Sequence, residues 1–279
     1  MDSSPCELCG GEVPLSWERC PHCARPGLFP NVRAAQVPAE REALHRRYSA
    51  VVQDAELRGA QQAVEAFEMA ARGTKAVMAR SFRELDRLSS STRELFSTYY
   101  NLVRGETRLP DGNEWDELRA VADEKLFPGY REHVRFAALS LDGAGLPHYG
   151  DCSFVFRESM IAHRTSVYEE NSALFLKQHA FAPPPGHRAT WEERAKLAVA
   201  KHGEEIDATT SPEQFAGMLL GPGATPEEDR FIEAHIWGPM SLRTVERILL
   251  TKPRKGQRSA RKAIQDRLKG VGLSLEESL

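Results

Sequence analysis

The chain has 279 residues, 41% of them apolar and 28% charged, with a formal net charge of −3. That is enough chain for one large core or two smaller ones, with the composition of an ordinary soluble protein. The charge balance excludes a uniformly basic protein but leaves room for local patches. No apolar run approaches the ~20 residues of a membrane span, so no membrane partner is expected. The opening Met1-Asp2-Ser3-Ser4-Pro5 has neither the basic nor the apolar region of a secretory signal, and the expected compartment is the cytoplasm.

Cys6-Glu7-Leu8-Cys9 and Cys20-Pro21-His22-Cys23 form two Cys-x2-Cys knuckles separated by ten residues. Paired knuckles bring four thiolates to the corners of a tetrahedron, the geometry structural zinc takes, so residues 1–30 read as a zinc ribbon. The competing readings are two disulfides, disfavoured in a reducing compartment, and a redox Cys-x-x-Cys, which needs only one pair. Gly10-Gly11 supplies the turn after the first knuckle, and His22 is expected to be a bystander. Cys152 lies in a strand pattern and reads as a small apolar residue.

Pro26 to Pro38 reads as a linker. From Ala39 to Arg72 the pattern is helical: Leu44, Tyr48, Val51 and Ala55 form a stripe that Ala60, Val64, Phe67 and Ala71 continue. Gly73-Thr74 breaks it. A second helix is predicted over Lys75–Leu88, and a third would carry Leu95, Phe96, Tyr99 and Leu102. Residues 38–105 are thus a helical region, serving as a spacer, as a docking surface, or packing on their own neighbours. Leu109-Pro110-Asp111-Gly112 marks a turn, and Asn113 can cap a helix to about Leu126. Strands are predicted over Val134–Leu141, Ser153–Phe156, Met160–Val167 and Val245–Leu250. Helices are predicted over Asn171–His179, from Thr190 to His202, and from Ser211-Pro212 onward.

Near the end, Phe231, Glu233, His235 and Trp237 alternate with Ile232, Ala234 and Ile236 until Gly238-Pro239 stops the run. This is a strand with one apolar face and one face that carries chemistry. Short strands among separated helices, without a βαβ repeat, indicate an α+β fold. The tail 253–279 contains a basic helix with an apolar edge of Ala260, Ile264 and Leu268. It suits either phosphate contacts or docking by that edge.

Tyr149-Gly150, Arg164-Thr165-Ser166, Asn171-Ser172 and Glu233-Ala234-His235-Ile236-Trp237-Gly238-Pro239 occur in that order over roughly residues 130–252. This series of short motifs resembles that of bacterial ADP-ribosyltransferase-like proteins, toxin and phage-defence families among them. The resemblance implies a split β-sheet domain over residues 106–252 with NAD as co-substrate. The acceptor would be RNA, DNA or a protein target, and an antitoxin would be a further partner. It also implies roles. Glu233 would stabilise charge on the ribose as nicotinamide departs, and Arg164 would bind the pyrophosphate. Tyr149-Gly150 or Tyr168 would wall the nicotinamide, while Ser166 and Asn171 would hold ribose hydroxyls. His235 would orient Glu233 or deprotonate the acceptor.

The chain departs from the better-known members on the opening strand, where they carry an Arg-Gly or a His that grips NAD. The nearest choices here are Arg104-Gly105, His133 and Arg135, and none is a clean match. No Gly-x-Gly-x-x-Gly or Gly-x4-Gly-Lys-Ser/Thr run offers another nucleotide site. The alternative function is a non-catalytic zinc-ribbon adaptor that binds nucleic acid or a protein partner and has no need of a carboxylate at 233.

Overall fold

The computed structural model describes residues 3–6, 8–14, 17–25, 27–98, 100, 114–251 and 258–277. The expected turn at Leu109–Gly112, the Asn113 cap, Arg104-Gly105, Tyr99, Leu102 and the cations Lys252, Arg254 and Lys255 lie outside them. No helix among the described residues is long and apolar enough to cross a membrane.

The fold is α+β. A small hairpin pairs β1 (Ser3–Pro5) with β2 (Glu12–Pro14). The helices that follow are α1 (Pro30–Gln36), α2 (Pro38–Leu57) and α3 (Gln61–Arg72), then β3 (Lys75–Arg80), α4 (Phe82–Ser89), α5 (Glu114–Leu126) and β4 (Val134–Ser140). Next come β5 (Cys152–Phe156), α6 (Glu158–Ile161), β6 (Thr165–Tyr168), α7 (Ser172–Gln178), β7 (Arg188–Thr190), α8 (Arg194–His202) and α9 (Pro212–Leu220). The chain ends with β8 (Glu233–Trp237), β9 (Val245–Leu250), α10 (Arg258–Lys269) and β10 (Leu275–Glu277). One eight-stranded sheet runs in the order β10-β9-β5-β3-β4-β8-β6-β7. It is antiparallel except where β10 lies parallel to β9.

The sheet separates two apolar layers. Ala76, Met78, Leu139, Phe154, Val167, Ala234, Ile236 and Ile248 meet Leu44, Phe67, Leu85, Phe215, Ile264 and Leu268 in the larger core. On the other side Val134, Tyr168 and Trp237 pack under Ala122 and Leu126 of α5, Phe127 and Tyr130 after it, and Phe175 and Leu176 of α7. Glu233, His235 and Trp237 face this second layer, as their alternation requires.

Several expectations are corrected. Lys75–Arg80 is a strand, although Lys, Ala, Met and Arg all favour helices. Ala76-Val77-Met78-Ala79 is a short apolar run, and neighbours on both sides bury it on both faces, which overrides propensity. β3, from the expected helical region, joins β5 to β4, so the described strands form one continuous sheet where a split one was expected. The supposed linker contains α1, begun by Pro30 and buried through Ala35, and Pro38 begins α2 directly. Gly59, at φ 70, divides the expected long helix into α2 and α3. Leu95 and Phe96 are not helical: Leu95 bridges Ser241, and the Phe96 N–H donates to the Met240 carbonyl. In the Met160–Val167 run only Thr165 onward is strand, and Met160 and Ile161 belong to α6.

Other expectations agree with the fold. Asn171 caps α7 through its side chain, and Ser211 and Gln214 form a capping box on α9. The basic helix α10 docks by its apolar edge, with Ile264 and Leu268 fully buried. Arg267 pairs with Asp86 and Arg261 with Glu277.

Candidate functional site

Two clusters carry chemistry. The first is at the ribbon. The sulfurs of Cys6, Cys9, Cys20 and Cys23 all lie within 4.8 Å of one another, and all four thiols are free. Cys6 and Cys23 Sγ are 3.9 Å apart, and Cys9 and Cys20 Sγ 3.6 Å. Zinc–thiolate bonds of about 2.3 Å in a tetrahedron require sulfur separations of roughly 3.8 Å, so the set fits a metal ion such as zinc. Desolvation pushes the Cys20 thiol up, but the Cys23 and His22 amides and the neighbouring thiols prevail and bring it down to about 6. Gly10 takes a left-handed turn at φ 71. A Cβ on Gly11 would sit 2.4 Å from the His22 ring, so Gly11 makes room for an imidazole that packs beside the cluster instead of joining it. Cys152 is buried in β5, and that burial pushes its thiol up to about 12, in keeping with a packing role.

The second cluster surrounds Glu233. Its Oε2 accepts from the Ser172 amide at 3.0 Å and from His235 Nε2 at 3.1 Å. Its Oε1 lies 3.3 Å from both terminal nitrogens of Arg119 on α5. Arg119 Nε lies 3.1 Å from Asp123 one turn along the helix, and the Tyr100 hydroxyl donates to that carboxylate at 2.8 Å. The guanidinium is stacked over Phe136 at 3.9 Å. Burial alone would raise the Glu233 pKa, but Arg119, His235 and the Ser172 amide hold it down to about 2. Burial raises the Asp123 pKa despite Arg119. Two carboxylates thus share one guanidinium.

His235 is fully buried, its ring 4.8 Å from Phe127 and 5.4 Å from Phe136, and burial lowers its pKa. The neutral ring that donates Nε2–H to ionised Glu233 leaves Nδ1 without a partner among the described residues. Of the two roles expected for His235, the hydrogen bond to Glu233 is the one its geometry supplies.

Of the other predicted residues, Tyr149 comes near. Its phenol is pushed up to about 12, by burial first and then by the Glu233 charge, and its ring meets Phe231 at 6.5 Å. Gly150 sits beside it at φ 146, where a Cβ would strike the Arg80 backbone at 2.1 Å. Arg164 is elsewhere. It donates to the Met160 carbonyl at 3.0 Å, to Trp237 at 2.5 Å and to Pro239 at 3.1 Å, at the far end of β8. Arg164 and Glu233 thus sit at opposite ends of β8, and no contact joins them among the described residues. Ser166 pairs with His235 across the strands, and its hydroxyl accepts from Asn31 at 3.4 Å. Asn171 Oδ1 is engaged with the amides of Ala173 and Leu174. Both side chains are buried and already hold structural contacts.

Arg119, Asp123, Tyr100 and the Ser172 amide were missed. An Arg and an Asp four apart on a predicted helix were a legible pair, but nothing local says that the pair reaches β8. No protein-family model matches the chain, and neither does any curated protein sequence.

Proposed function

We propose that the protein is an NAD-dependent ADP-ribosyltransferase of the bacterial toxin or defence kind, with Glu233 as its key carboxylate and a metal-bound ribbon that helps select the acceptor. One observation carries the reading: Glu233 lies wholly buried on an inner strand, with one guanidinium held between it and a second carboxylate. Burying two carboxylates around one guanidinium is costly, and such enclosed clusters of titratable groups concentrate at sites of chemistry.

In the proposed reaction the bond between ribose C1′ and the nicotinamide nitrogen breaks. Nicotinamide leaves with the electron pair, and the acceptor's nucleophile bonds to C1′ and gives up its proton to solvent. The Glu233 charge stabilises the cationic ribose in the transition state. Arg119, partly exposed and next to Glu233, replaces Arg164 as the residue for the phosphates. Tyr149 walls the nicotinamide. Because Glu233 is enclosed beneath α5, that helix yields when NAD enters.

A second reading has its own support. Arg164 and both oxygens of Glu233 are occupied by internal partners, an arrangement that a non-catalytic adaptor on the same fold would keep. Incubation with labelled NAD and cell lysate, followed by nuclease or protease digestion, separates the two. The transferase labels one class of polymer, and Glu233→Gln abolishes the label; the adaptor labels neither. Elemental analysis is expected to find about one zinc per chain.

A further inference from the structure

The proposed reaction releases a proton from the acceptor, and His235 spends its Nε2–H on Glu233. A second histidine stands at the surface. The short turn Pro147–Tyr149 between β4 and β5 carries His148, whose Nδ1 lies 3.2 Å from Oδ2 of Asp229, shortly before β8. The two side chains are unequally exposed: the carboxylate is wholly buried and the imidazole is 22% exposed. The other oxygen of Asp229 accepts from the Gly223 amide at 2.9 Å. A carboxylate oxygen only accepts, so it holds the ring proton on Nδ1 and leaves the lone pair of Nε2 pointing away. Nε2 makes no hydrogen bond among the described residues. A fixed carboxylate behind an imidazole whose far nitrogen is open is the arrangement of a general base.

The fold sets this pair on the Glu233 side of the sheet. Leu146, at the start of the turn, packs with Ala138 and Phe231. Ala138 is the β4 residue directly opposite Glu233, so the two side chains share one face. Phe231 precedes Glu233 by two residues, and the Leu139 amide donates to the Ile232 carbonyl, which carries the β4–β8 pairing back to that point. Tyr149, next to His148, meets the Phe231 ring at 6.5 Å, and both the Glu233 and the Asp229 charges act on its phenol. The turn therefore lies over the face that bears Glu233, at the end of β8 where Glu233 stands, with His148 on its solvent side.

We propose that His148, positioned by Asp229, is the general base of the transfer reaction. The inference rests on the transferase reading of Glu233. As the bond from C1′ to nicotinamide breaks, nicotinamide leaves with the electron pair and the acceptor's nucleophile bonds to C1′. The proton of that nucleophile passes to His148 Nε2 and from there to solvent, which reaches the ring. The acceptor is thus one whose nucleophile carries a proton, a hydroxyl or an N–H, and not a carboxylate, which has none to lose.

Water is the simplest acceptor with a proton, and azide is a nucleophile without one. The test incubates the full zinc-loaded chain with NAD, with and without azide, and measures nicotinamide, ADP-ribose and the ADP-ribosyl azide adduct. His148→Ala should lower hydrolysis about 10²-fold or more, and azide should restore nicotinamide release by forming the adduct. His148 lies on an exposed turn, and an unchanged melting temperature verifies that the variant is folded. Asp229→Asn keeps an oxygen for the Gly223 amide but sets an N–H against Nδ1, which moves the ring proton to Nε2. Its kcat should fall with little change in KM, and azide should again restore the rate. Glu233→Gln lacks charge beside the ribose and not a base, so azide should leave it slow. Full hydrolysis by His148→Ala, or a loss that azide does not restore, would overturn the assignment of the base and leave the Glu233 reading standing. Absence of NAD cleavage by the parent protein, with cell lysate or without, would overturn both.

Discussion

Two glutamates in this protein have the same displaced acidity and different surroundings. Glu169, following β6, takes a forked pair of contacts from Arg47 of α2 at 2.5 and 2.9 Å and one from His187 Nδ1 at 2.7 Å. Glu233, on β8, has longer contacts to Arg119 and shares that guanidinium with Asp123. Burial raises both and their partners overcome it, leaving both near about 2. Short, forked, charge-assisted bonds are what holding two elements together requires. Glu233 has both oxygens engaged too, but its guanidinium is farther away and divided with a second carboxylate. Glu169 is therefore a clamp between α2 and the strand edge, and the transferase proposal makes Glu233 the site. An equal pKa says nothing about which is which; the geometry of the partners does.

The largest expected effect is on the clamp. Arg47→Ala leaves Glu169 with His187 alone and should cost about 3–5 kcal/mol of stability, the usual result of breaking a buried pair. Chemical denaturation measures it, and NAD turnover per folded molecule should not change. Glu233→Gln should show the opposite pattern. The amide oxygen still accepts from Ser172, so the fold survives, while turnover drops by about 10²–10³-fold and NAD affinity changes little. Full turnover in Glu233→Gln would make both glutamates clamps and remove the contrast.

Acid should strain both clusters together. Glu169 and Glu233 have folded values of about 2 against an ordinary 4.5. Each therefore contributes stability that is present above pH 4.5 and lost as pH falls toward 2. The loss is at most about 3 kcal/mol per group. His202, which burial pulls from 6.5 to about 3, acts in the same direction earlier: the unfolded chain takes up its proton first, so stability falls between those values. His235, also lowered by burial, adds to that limb. A titration of unfolding free energy against pH should show the histidine limb first and the carboxylate limb after it. Arg47→Ala should flatten only the carboxylate limb.

Sequence alone was informative where the signal was local. The Cys-x2-Cys pairs, the alternation over Glu233–Trp237, the Asn171 cap and the Ser211–Gln214 capping box all depend on residues close in the chain. What escaped depends on contact across the fold. β3 is a strand because β4 and β5 flank it, and its own composition argues for a helix. Asn31, in what read as a linker, donates to the Arg164 and His235 carbonyls and fixes α1 to two strands. Arg164 matched a motif by type and spacing, but the Trp237 and Pro239 carbonyls hold it at the opposite end of β8 from Glu233. Arg119 and Arg47 each find their glutamate across more than a hundred residues, and no periodicity announces such a pairing.

The smallest and sharpest expected effect comes from changing the guanidinium next to each glutamate to an ammonium. A lysine keeps the charge but cannot fork. At Arg47 the fork is the clamp, since Nη1 and Nη2 each take one oxygen of Glu169. Arg47→Lys should therefore cost about 1–3 kcal/mol of stability, the loss of one charged hydrogen bond. At Arg119 both terminal nitrogens share one oxygen of Glu233 at 3.3 Å while Nε holds Asp123, so a lysine loses one of the two carboxylates and Arg119→Lys should cost a similar amount, about 1–3 kcal/mol. If Arg119 also meets the phosphates of NAD, the lost fork appears in KM. A rise of about tenfold is expected with a smaller change in kcat, because phosphate is held in both ground and transition states. A KM loss at Arg119 with none at Arg47 would separate clamp from site by two conservative substitutions. Equal stability losses with no kinetic effect would return Glu233 to the status of Glu169.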